Sequence, residues 1–367
     1  MTCKALLCTL VALPCLAARA DDGVTIYGIV DAGTEVLKGS ARLVRVQSGG
    51  LAGSRLGFRG SEDLGGGLKA SFALESGLNI NDGTVGQGGA LFGRQAWVGL
   101  EGSFGSVSLG RQYSSIYAAV TDMSIFTNAA AGPSTMVIGG FGGYEPVRGA
   151  AATATPPEAG ATGNGGPVRV NNSFRYESPS FDGVRFSALY GAGEVAGLTN
   201  QSRLVDFGLR YTGAGIDVVA SFISDRADDG GATTRADTST FAGSYTLGAL
   251  RLVSGYVDFK DKRPAAMSGR SAWVGADYRL GTQLFKAQYI QNRPSNDASS
   301  KTEALGVGWV CDFSKRTALY SSLTRFKNDD RAGLGGLGRF NGAVPAGLTA
   351  IGSNSITEFA VGIRTSF

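Results

Sequence analysis

The chain has 367 residues, with 34 Lys and Arg against 30 Asp and Glu, and it contains no histidine. A formal net charge of +4 is small for a nucleic-acid-binding protein, which usually carries a concentrated basic face. Without histidine the chain cannot build Ser-His-Asp or Cys-His nucleophile pairs, and it lacks the imidazole on which most zinc and iron sites depend. Glycine, with 57 residues, is about twice as frequent as in ordinary globular proteins. The length allows two domains or one large β-barrel.

The first twenty residues have the pattern of a secretory signal. A basic residue, Lys4, is followed by an apolar run as far as Leu16 and then by Ala-Arg-Ala, which ends at Ala20. The apolar run is too short to span a bilayer. We expect residues 1–20 to be a signal peptide cleaved after Ala20, and residues 21–367 to form one barrel domain. A buried N-terminal helix is the alternative.

Beyond this segment, apolar and polar residues alternate over stretches of about ten residues, which is the period of β-strands. In the last stretch, Phe359, Val361 and Ile363 share one face and Arg364 lies on the other. No run of eighteen apolar residues, the length that a spanning helix needs, occurs after the signal. Sixteen candidate strands lie near residues 23–33, 53–61, 67–77, 91–101, 105–113, 167–177, 183–192, 203–212, 215–224, 237–247, 249–260, 270–279, 282–292, 302–311, 315–327 and 356–367.

A soluble β-sandwich would show the same alternation, because its inner face is apolar. Three features favour a membrane barrel. The candidate strands are longer than the usual five or six residues, aromatic residues cluster at their ends, and short connections alternate with long ones such as 114–166 and 328–355. An even number of strands lets the first and last strands pair, so that no open edge faces lipid. The predicted fold is an all-β, sixteen-stranded antiparallel transmembrane barrel.

Several motifs resemble those of Gram-negative general diffusion porins. Residues 54–70 (SRLGFRGSEDLGGGLKA) resemble the second hairpin of that family, residues 94–100 and 109–113 its fourth and fifth strands, and residues 170–179 its sixth strand and turn. Phe367 is similar to the family's carboxy-terminal aromatic residue, an assembly signal. The resemblance implies a homotrimeric outer-membrane barrel, surrounded by lipid and lipopolysaccharide, whose third long loop folds into the channel and narrows it.

Arginines on the polar faces of these strands are the candidate pore residues. Burying them against lipid would cost several kcal/mol each, so the polar faces should line an aqueous lumen. The alternative is that they are ordinary solvated arginines paired with nearby carboxylates. The polar faces carry Arg55, Arg59 and Arg169, which alternate with the apolar residues Leu56, Phe58 and Val170.

Two further arginines are harder to orient. Alternation does not decide which face of its strand Arg94 occupies, because Trp97 and Val98 are both apolar. The family resemblance places Arg94 on the constriction wall. Arg111 lies on the same face of its strand as Leu109, which is expected to face outward. We therefore expect Arg111 to make an inter-subunit or loop-anchoring contact, not a pore contact.

The segment Thr121-Asp122-Met123 resembles the start of the family's constriction loop, which implies that Asp122 faces the arginines across the channel. The second acid usual in that loop is missing, and Ile29 stands where strand one often has a lysine. With four arginines against one acid, we predict a mild anion preference. The loop 78–90 resembles the family's latch onto a neighbouring subunit, and a free surface loop is the alternative.

The sequence therefore predicts a porin, a passive water-filled channel for small hydrophilic solutes and ions, with no turnover chemistry. Cys311 is the only cysteine beyond the signal, so no disulfide, metal or cofactor is expected. One alternative is a lipase or protease barrel, which the lack of histidine disfavours. Another is an adhesin or structural anchor that uses loops 114–166 and 328–355, and a third is a substrate-selective channel.

Overall fold

The computed structural model describes residues 23–39, 42–127, 131–133, 168–192, 203–229, 232–262, 268–294, 302–328 and 355–367. The expected signal peptide, much of the loop 114–166 and nearly all of the loop 328–355 lie outside these ranges.

Almost all of the described chain is β-strand. One short α-helix, α1 (Ser115–Asp122), and one 3-10 turn (Gln87–Gly89) are the helical elements of the described residues. No described helix has the length and apolar character needed to cross a membrane. The strands are β1 Thr25–Lys38, β2 Arg42–Ser48, β3 Arg55–Gly65, β4 Leu68–Gly77, β5 Gln95–Gly102, β6 Gly105–Tyr113, β7 Arg169–Glu177, β8 Val184–Gly191, β9 Leu204–Gly213, β10 Ile216–Asp229, β11 Ala232–Leu247, β12 Leu250–Asp261, β13 Gly269–Leu280, β14 Gln283–Pro294, β15 Thr302–Asp312, β16 Thr317–Asn328 and β17 Ser355–Ser366.

The strands form one closed antiparallel ring. Each strand from β3 onward pairs with the next, and β17 pairs with β1 from Ile29↔Ser366 to Lys38↔Thr357. On its other side, β1 pairs with β3 along its first half and with β2 along its second half. Strands β2 and β3 therefore share one position, and the ring has sixteen positions. The predicted fold is confirmed, and the sixteen predicted strands match within a few residues.

Strand β2 was not predicted. Residues 42–48 lie between the first two predicted strands, 23–33 and 53–61. The structure pairs this segment with the second half of β1, which is correspondingly longer than expected.

Apolar side chains cover the outside of the ring and polar side chains fill much of its inside. On β1, Ile26 and Val30 are 58% and 37% exposed, whereas Asp31 and Glu35 on the opposite face are fully buried. This pattern is the reverse of a water-soluble protein, whose surface rarely carries contiguous apolar patches of such extent. The apolar outer face fits a hydrocarbon surrounding.

The two rims of the ring differ in their connections. At one rim, which we call the turn rim, the strands are joined by short turns with glycines in the left-handed region, as at Gly65–Gly67, Gly248 and Gly281. Such turns match the twist of antiparallel hairpins. The longer connections lie at the opposite rim, the loop rim. This layout agrees with the predicted alternation of short and long connections.

Two irregularities on β6 and β7 interrupt the alternation. The register shifts between Gly110 and Gln112, and Asn172 has a φ of 47°. A bulge of this kind moves the following side chains to the other face. Val170 is consequently only 2% exposed, so its predicted place on the lipid-facing side is wrong.

The ring is closed at the turn rim by the last residue. Phe367 and Gly28 exchange both backbone hydrogen bonds, at 3.1 and 3.2 Å, and a Cβ on residue 28 would collide with the Phe367 ring. The phenyl ring of Phe367 thus covers the backbone of β1 at the seam, the place where β1 and β17 pair and close the barrel.

We expect Phe367→Ala to lower the folded fraction on refolding in detergent, because it uncovers the backbone at the closing pair. The folded fraction is measured from the shift in electrophoretic mobility between unheated and heated samples. Phe313→Ala is the matched control, since Phe313 is an exposed aromatic residue in a turn at the same rim. Equal folded fractions for the two variants would contradict this role for Phe367.

Candidate functional site in the barrel interior

Arginines from β3 and from the segment just before β5 surround one buried carboxylate, Glu75 on β4. Arg94 Nε donates to Glu75 Oε1 at 2.6 Å, and Arg55 Nη1 lies 4.0 Å from Glu75 Oε2. Two phenols also donate to this carboxylate, Tyr27 at 3.0 Å and Tyr113 at 3.2 Å. Charge-assisted bonds of this kind are shorter and stronger than neutral ones, so Glu75 holds the cluster together.

Aromatic rings position the remaining arginines. The Arg59 guanidinium lies 5.1 Å from the Tyr27 ring centre, and Arg169 lies 5.0 Å from that of Tyr113. Tyr113 stacks on Tyr117 of α1 with 3.9 Å between ring centres. These separations are within the range of cation–π attraction.

We call this set of residues the arginine wall: Arg55, Arg59, Arg94, Arg169, Glu75, Tyr27, Tyr113 and Tyr117. The structure brings the four predicted pore arginines together on it, although only 7% of the Arg94 side chain is exposed. Arg94 therefore lies behind the surface that a solute would meet. Their part in conduction stays a prediction. Glu75 was not among the predicted site residues, although it lies on the polar face of β4, where an acid can reach the arginines.

Arg111 occupies the bulge of β6. Its Nε donates to the carbonyl of Gly93 at 2.8 Å, and its Nη1 donates to Asn171 Oδ1. Within this chain Arg111 therefore ties the segment before β5 to β7. An inter-subunit contact of Arg111 stays a prediction.

The chain between β6 and β7 enters the barrel. The backbone N–H of Ser115 donates to Asp206 Oδ2 at 2.7 Å, Trp273 Nε1 donates to the carbonyl of Met123 at 2.6 Å, and the N–H of Ile125 donates to Gln288 Oε1 at 2.7 Å. These partners belong to β9, β13 and β14. Helix α1 and the residues after it thus lie against the inner wall opposite the arginine wall.

An apolar patch inside the ring receives this loop. It interrupts the polar inner face, and the loop covers it with apolar side chains of its own, which removes both surfaces from water. The patch consists of Val219, Ile223, Ala242, Val253, Val257, Trp273 and Ile290, and the loop contributes Ile116, Ala119, Val120, Met123, Ile125 and Phe126.

Asp122 is the last residue of α1, and it lies beside basic residues of the wall against which α1 packs. Arg210 Nη1 donates to Asp122 Oδ2 at 2.8 Å, and Arg251 Nη2 donates to the Asp122 carbonyl at 2.5 Å. Arg210 also pairs with Asp217 at 2.5 Å. The partners of Asp122 among the described residues are thus arginines of β9 and β12, and not those of the arginine wall, which the sequence analysis expected it to face.

A second anchor of the loop is built on the break between β2 and β3, residues 49–54. The buried Asp31 carboxylate accepts hydrogen bonds from the backbone N–H groups of Gly50, Leu51 and Ala52 at 3.1, 2.9 and 2.6 Å, and from the hydroxyl of Tyr320 at 2.7 Å. Each of these donors satisfies one of the hydrogen-bond acceptor sites of the buried Asp31 carboxylate.

Residues 131 and 132 of the inserted loop rest on this break. The N–H of Ala131 donates to the Gly50 carbonyl at 3.3 Å, and the N–H of Gly132 donates to Glu358 Oε1 at 3.0 Å. Asp31 therefore positions the loop indirectly, through residues 49–54. Sequence reasoning missed this arrangement, because Asp31 and Tyr320 are 289 residues apart.

The comparisons agree with this architecture. The profile of the family described as Gram-negative porin matches residues 5–331. The chain belongs to the Gram-negative porin family. Outer membrane porin protein 32 of Delftia acidovorans is 33% identical to this porin over 368 residues, 96% of both chains, and the major outer membrane protein P.IB of Neisseria meningitidis serogroup B is 33% identical over 84% of this chain and 88% of its own.

Solved porin structures superpose on this one. An anion-selective porin from Comamonas acidovorans has a TM-score of 0.76 at 28% identity, and covers 95% of this porin and all of its own chain. Salmonella typhi OmpF in complex with daunomycin, at a TM-score of 0.65 and 17% identity over 94% of this porin and 97% of its own chain, shows the shared fold. The porin is thus an outer-membrane channel for passive diffusion, which confirms the predicted family, location and general function.

The described residues contain no group of three Asp, Glu or Cys side chains that could hold a metal ion.

We expect Asp31→Asn to raise single-channel conductance and to broaden its distribution. An amide keeps one oxygen acceptor but places donors against the backbone N–H groups, which loosens residues 49–54 and the loop residues 131 and 132 that rest on them. Tyr320→Phe, which removes one bond, should act in the same direction but more weakly.

The control for this effect is Asp312→Asn, which makes the same change of charge at the turn rim, where Asp312 pairs with Arg279. Conductance in a planar bilayer is the measurement. If Asp31→Asn and Tyr320→Phe both conduct as the control does, Asp31 has no part in positioning the loop.

Proposed function

We propose that this porin prefers anions mildly, and that the preference originates at the arginine wall. That wall combines four arginines with one acid. On the opposite wall, Arg210 pairs with Asp122 at 2.8 Å and with Asp217 at 2.5 Å, and Arg251 lies 3.9 Å from Asp277. The same wall holds two further buried acids, Asp206 and Asp225. Because the excess of positive charge lies on the arginine wall, we attribute the preference for anions to that wall.

The related channel from Comamonas acidovorans, whose title calls it anion-selective, supports this proposal. It covers nearly the whole of this porin at 28% identity. In both the sequence and the structure, the feature that carries the proposal is the clustering of Arg55, Arg59, Arg94 and Arg169.

We further propose that the inserted loop sets the size limit of the channel. Helix α1 and residues 123–127 occupy interior space between the inner wall of β9–β14 and the arginine wall. Tyr117 on α1 contacts Arg169 at 5.9 Å from ring centre to guanidinium, so the loop reaches the arginine wall. Solutes are thereby confined beside arginine side chains.

We also propose that the porin forms a homotrimer and that its signal peptide is cleaved. Export of an outer-membrane protein requires a signal, and residues 1–20 have its pattern. The loop 78–90 is compact, since Asn79 and Thr84 pair through backbone and side chain at 2.9 and 3.0 Å. A preformed loop that projects from β4 and β5 is suited to contact a neighbouring subunit.

We expect Arg55→Gln and Arg59→Gln each to shift the reversal potential in a salt gradient toward cation permeation. One unit charge about 8 Å from a passing ion contributes ~0.5 kcal/mol in bulk water, roughly a twofold change in occupancy. Asp122→Asn should shift the potential the other way.

Lys315→Gln is the control for charge alone, since Lys315 is exposed in the turn after β15. It should leave the reversal potential unchanged. Cation selectivity of the unaltered porin would refute the proposal.

Deleting residues 80–90 should lower the temperature at which the purified oligomer dissociates, while the monomer barrel stays folded. Light scattering during a thermal ramp gives the first quantity and heat-dependent electrophoretic mobility gives the second. An unchanged dissociation temperature would show that this loop is a free surface loop. If the unaltered porin is itself a monomer after purification, the proposed trimer is excluded.

A further inference from the structure

Two buried carboxylates lie side by side on the inner wall of the barrel. Glu35 on β1 and Glu358 on β17 are both fully buried. The register places Ala360 opposite Glu35 and Leu37 opposite Glu358, so the two acids are diagonal neighbours with Cβ atoms about 7 Å apart. Their carboxylates are close enough to repel each other. Two negative charges thus share one place that is out of water.

A single guanidinium serves both acids. Arg45 on β2 stands opposite Glu35 in the register, and its Nε donates to Glu35 Oε2. Glu358 Oε1 accepts only a neutral donor, the backbone N–H of Gly132 at 3.0 Å. Arg364, the other arginine on the inner face of β17, lies six residues from Glu358 along the strand. Among the described residues, the pair therefore has one positive charge for two negative charges.

Four buried oxygens at this place have no hydrogen-bond partner among the described residues. They are Glu35 Oε1, Glu358 Oε2, Ser322 Oγ and Thr324 Oγ1. On β16, Thr324 stands opposite Glu358 and Ser322 opposite Ala360. Buried polar groups in native proteins are nearly always hydrogen-bonded, so four such oxygens on three adjacent strands indicate that they bind a ligand. We call Glu35, Glu358, Ser322 and Thr324 the oxygen cluster.

Residues 131–133 of the inserted loop cover the oxygen cluster on the side of the lumen. All three are buried. A Cβ on Gly306 of β15 would lie 2.5 Å from Pro133 Cδ and 3.0 Å from Thr324 Oγ1, so the loop and the hydroxyl meet at this glycine. The oxygen cluster is therefore enclosed between the barrel wall and the loop.

The chemistry of the oxygen cluster suits a hard metal cation. It offers two carboxylate and two hydroxyl oxygens, with none of the nitrogen and sulfur ligands that zinc and copper prefer. Ca²⁺ accepts roughly six to eight oxygen ligands in flexible geometry, including backbone carbonyls and water, whereas Mg²⁺ requires a nearly ideal octahedron. A water molecule would satisfy the oxygens but would leave the charge of the second carboxylate unneutralised, which is costly in a buried place.

We propose that the oxygen cluster binds Ca²⁺ and thereby fastens residues 131–133 to the barrel wall. The side chain of Arg45 is 24% exposed, so water in the lumen hydrates part of its charge and both carboxylates stay available to the ion. The ligands come together only when β1, β16 and β17 have paired, so the ion stabilises the folded barrel. The sequence analysis expected no metal, because the two acids lie at opposite ends of the chain and share no local motif.

The test measures calcium binding by isothermal titration calorimetry. Porin is refolded in detergent, which keeps it free of lipopolysaccharide, an anionic lipid that would itself bind calcium. It is treated with a chelator, and then titrated with Ca²⁺ and separately with Mg²⁺. Glu35→Gln and Glu358→Gln each remove one charge. Glu101→Gln is the matched control, since Glu101 lies on the inner face of β5 and accepts a hydrogen bond from Ser71 at 2.9 Å.

A second pair of variants tests the site without changing its charge. Thr324→Val replaces the hydroxyl by a methyl group of similar shape, and Thr324→Ser keeps the hydroxyl. Both retain the two acids, so they remain informative if an acid variant does not refold.

We expect the unaltered porin and Glu101→Gln to bind one Ca²⁺ per chain, and to unfold at a higher temperature with calcium than with chelator. Glu35→Gln, Glu358→Gln and Thr324→Val should each bind Ca²⁺ about tenfold more weakly or worse, because affinity depends on the charge and number of the ligands. Thr324→Ser should bind Ca²⁺ normally, and Mg²⁺ should bind the unaltered porin more weakly than Ca²⁺ does.

Absence of calcium binding by the unaltered porin, or equal binding by Glu358→Gln, would overturn the proposal. Tighter binding of Mg²⁺ would overturn the choice of ion. If Glu358→Gln unfolds at a higher temperature than the unaltered porin with calcium and with chelator alike, the two acids share a proton instead, and the calcium site is refuted. The anion preference is decided by the reversal potential, so the two proposals fail on different measurements.

Discussion

A backbone that crosses lipid must satisfy its N–H and C=O groups within itself, and the pairing of β17 with β1 meets this requirement. The seam ends at the turn rim with the reciprocal bonds of Gly28 and Phe367. Once the ring is closed, each strand has one face toward lipid and one toward the interior. Fully buried acids such as Asp31 and Glu35 can exist only on the interior face, where arginines, phenols and backbone N–H groups can reach them.

The interior is organised as two unequal walls. The arginine wall is held by a single acid, Glu75, whereas the opposite wall pairs its arginines with Asp122, Asp217 and Asp277 and carries an apolar patch that binds α1. The loop is fastened at two places among its described residues, by Asp206 at Ser115 and by Glu358 and residues 49–54 at residues 131 and 132. We propose on this basis that size restriction and charge preference derive from different parts of the barrel, and that each can be altered without the other.

Strand positions and tight turns could be predicted from the sequence, because both depend on neighbouring residues. Period-two alternation located all sixteen ring positions, and glycines marked the turns. The predictions failed where the alternation is broken: the bulge at Gly110 and the positive φ of Asn172 change which face a side chain occupies, which misplaced Val170. The arrangement around Asp31 could not be predicted, because it joins β1, residues 50–52 and Tyr320, and no local pattern connects them.

The central claim is that the apolar faces meet lipid while water fills the lumen. Cysteine substitution along β17 in a Cys311→Ser background tests this most directly, with reconstituted porin exposed to a membrane-impermeant thiol reagent. Arg364→Cys and Ser366→Cys should react rapidly, whereas Val361→Cys and Ile363→Cys should react only with a lipid-soluble reagent. Reaction of Val361→Cys and Ile363→Cys with the impermeant reagent, at the rate of the other two, would contradict the account.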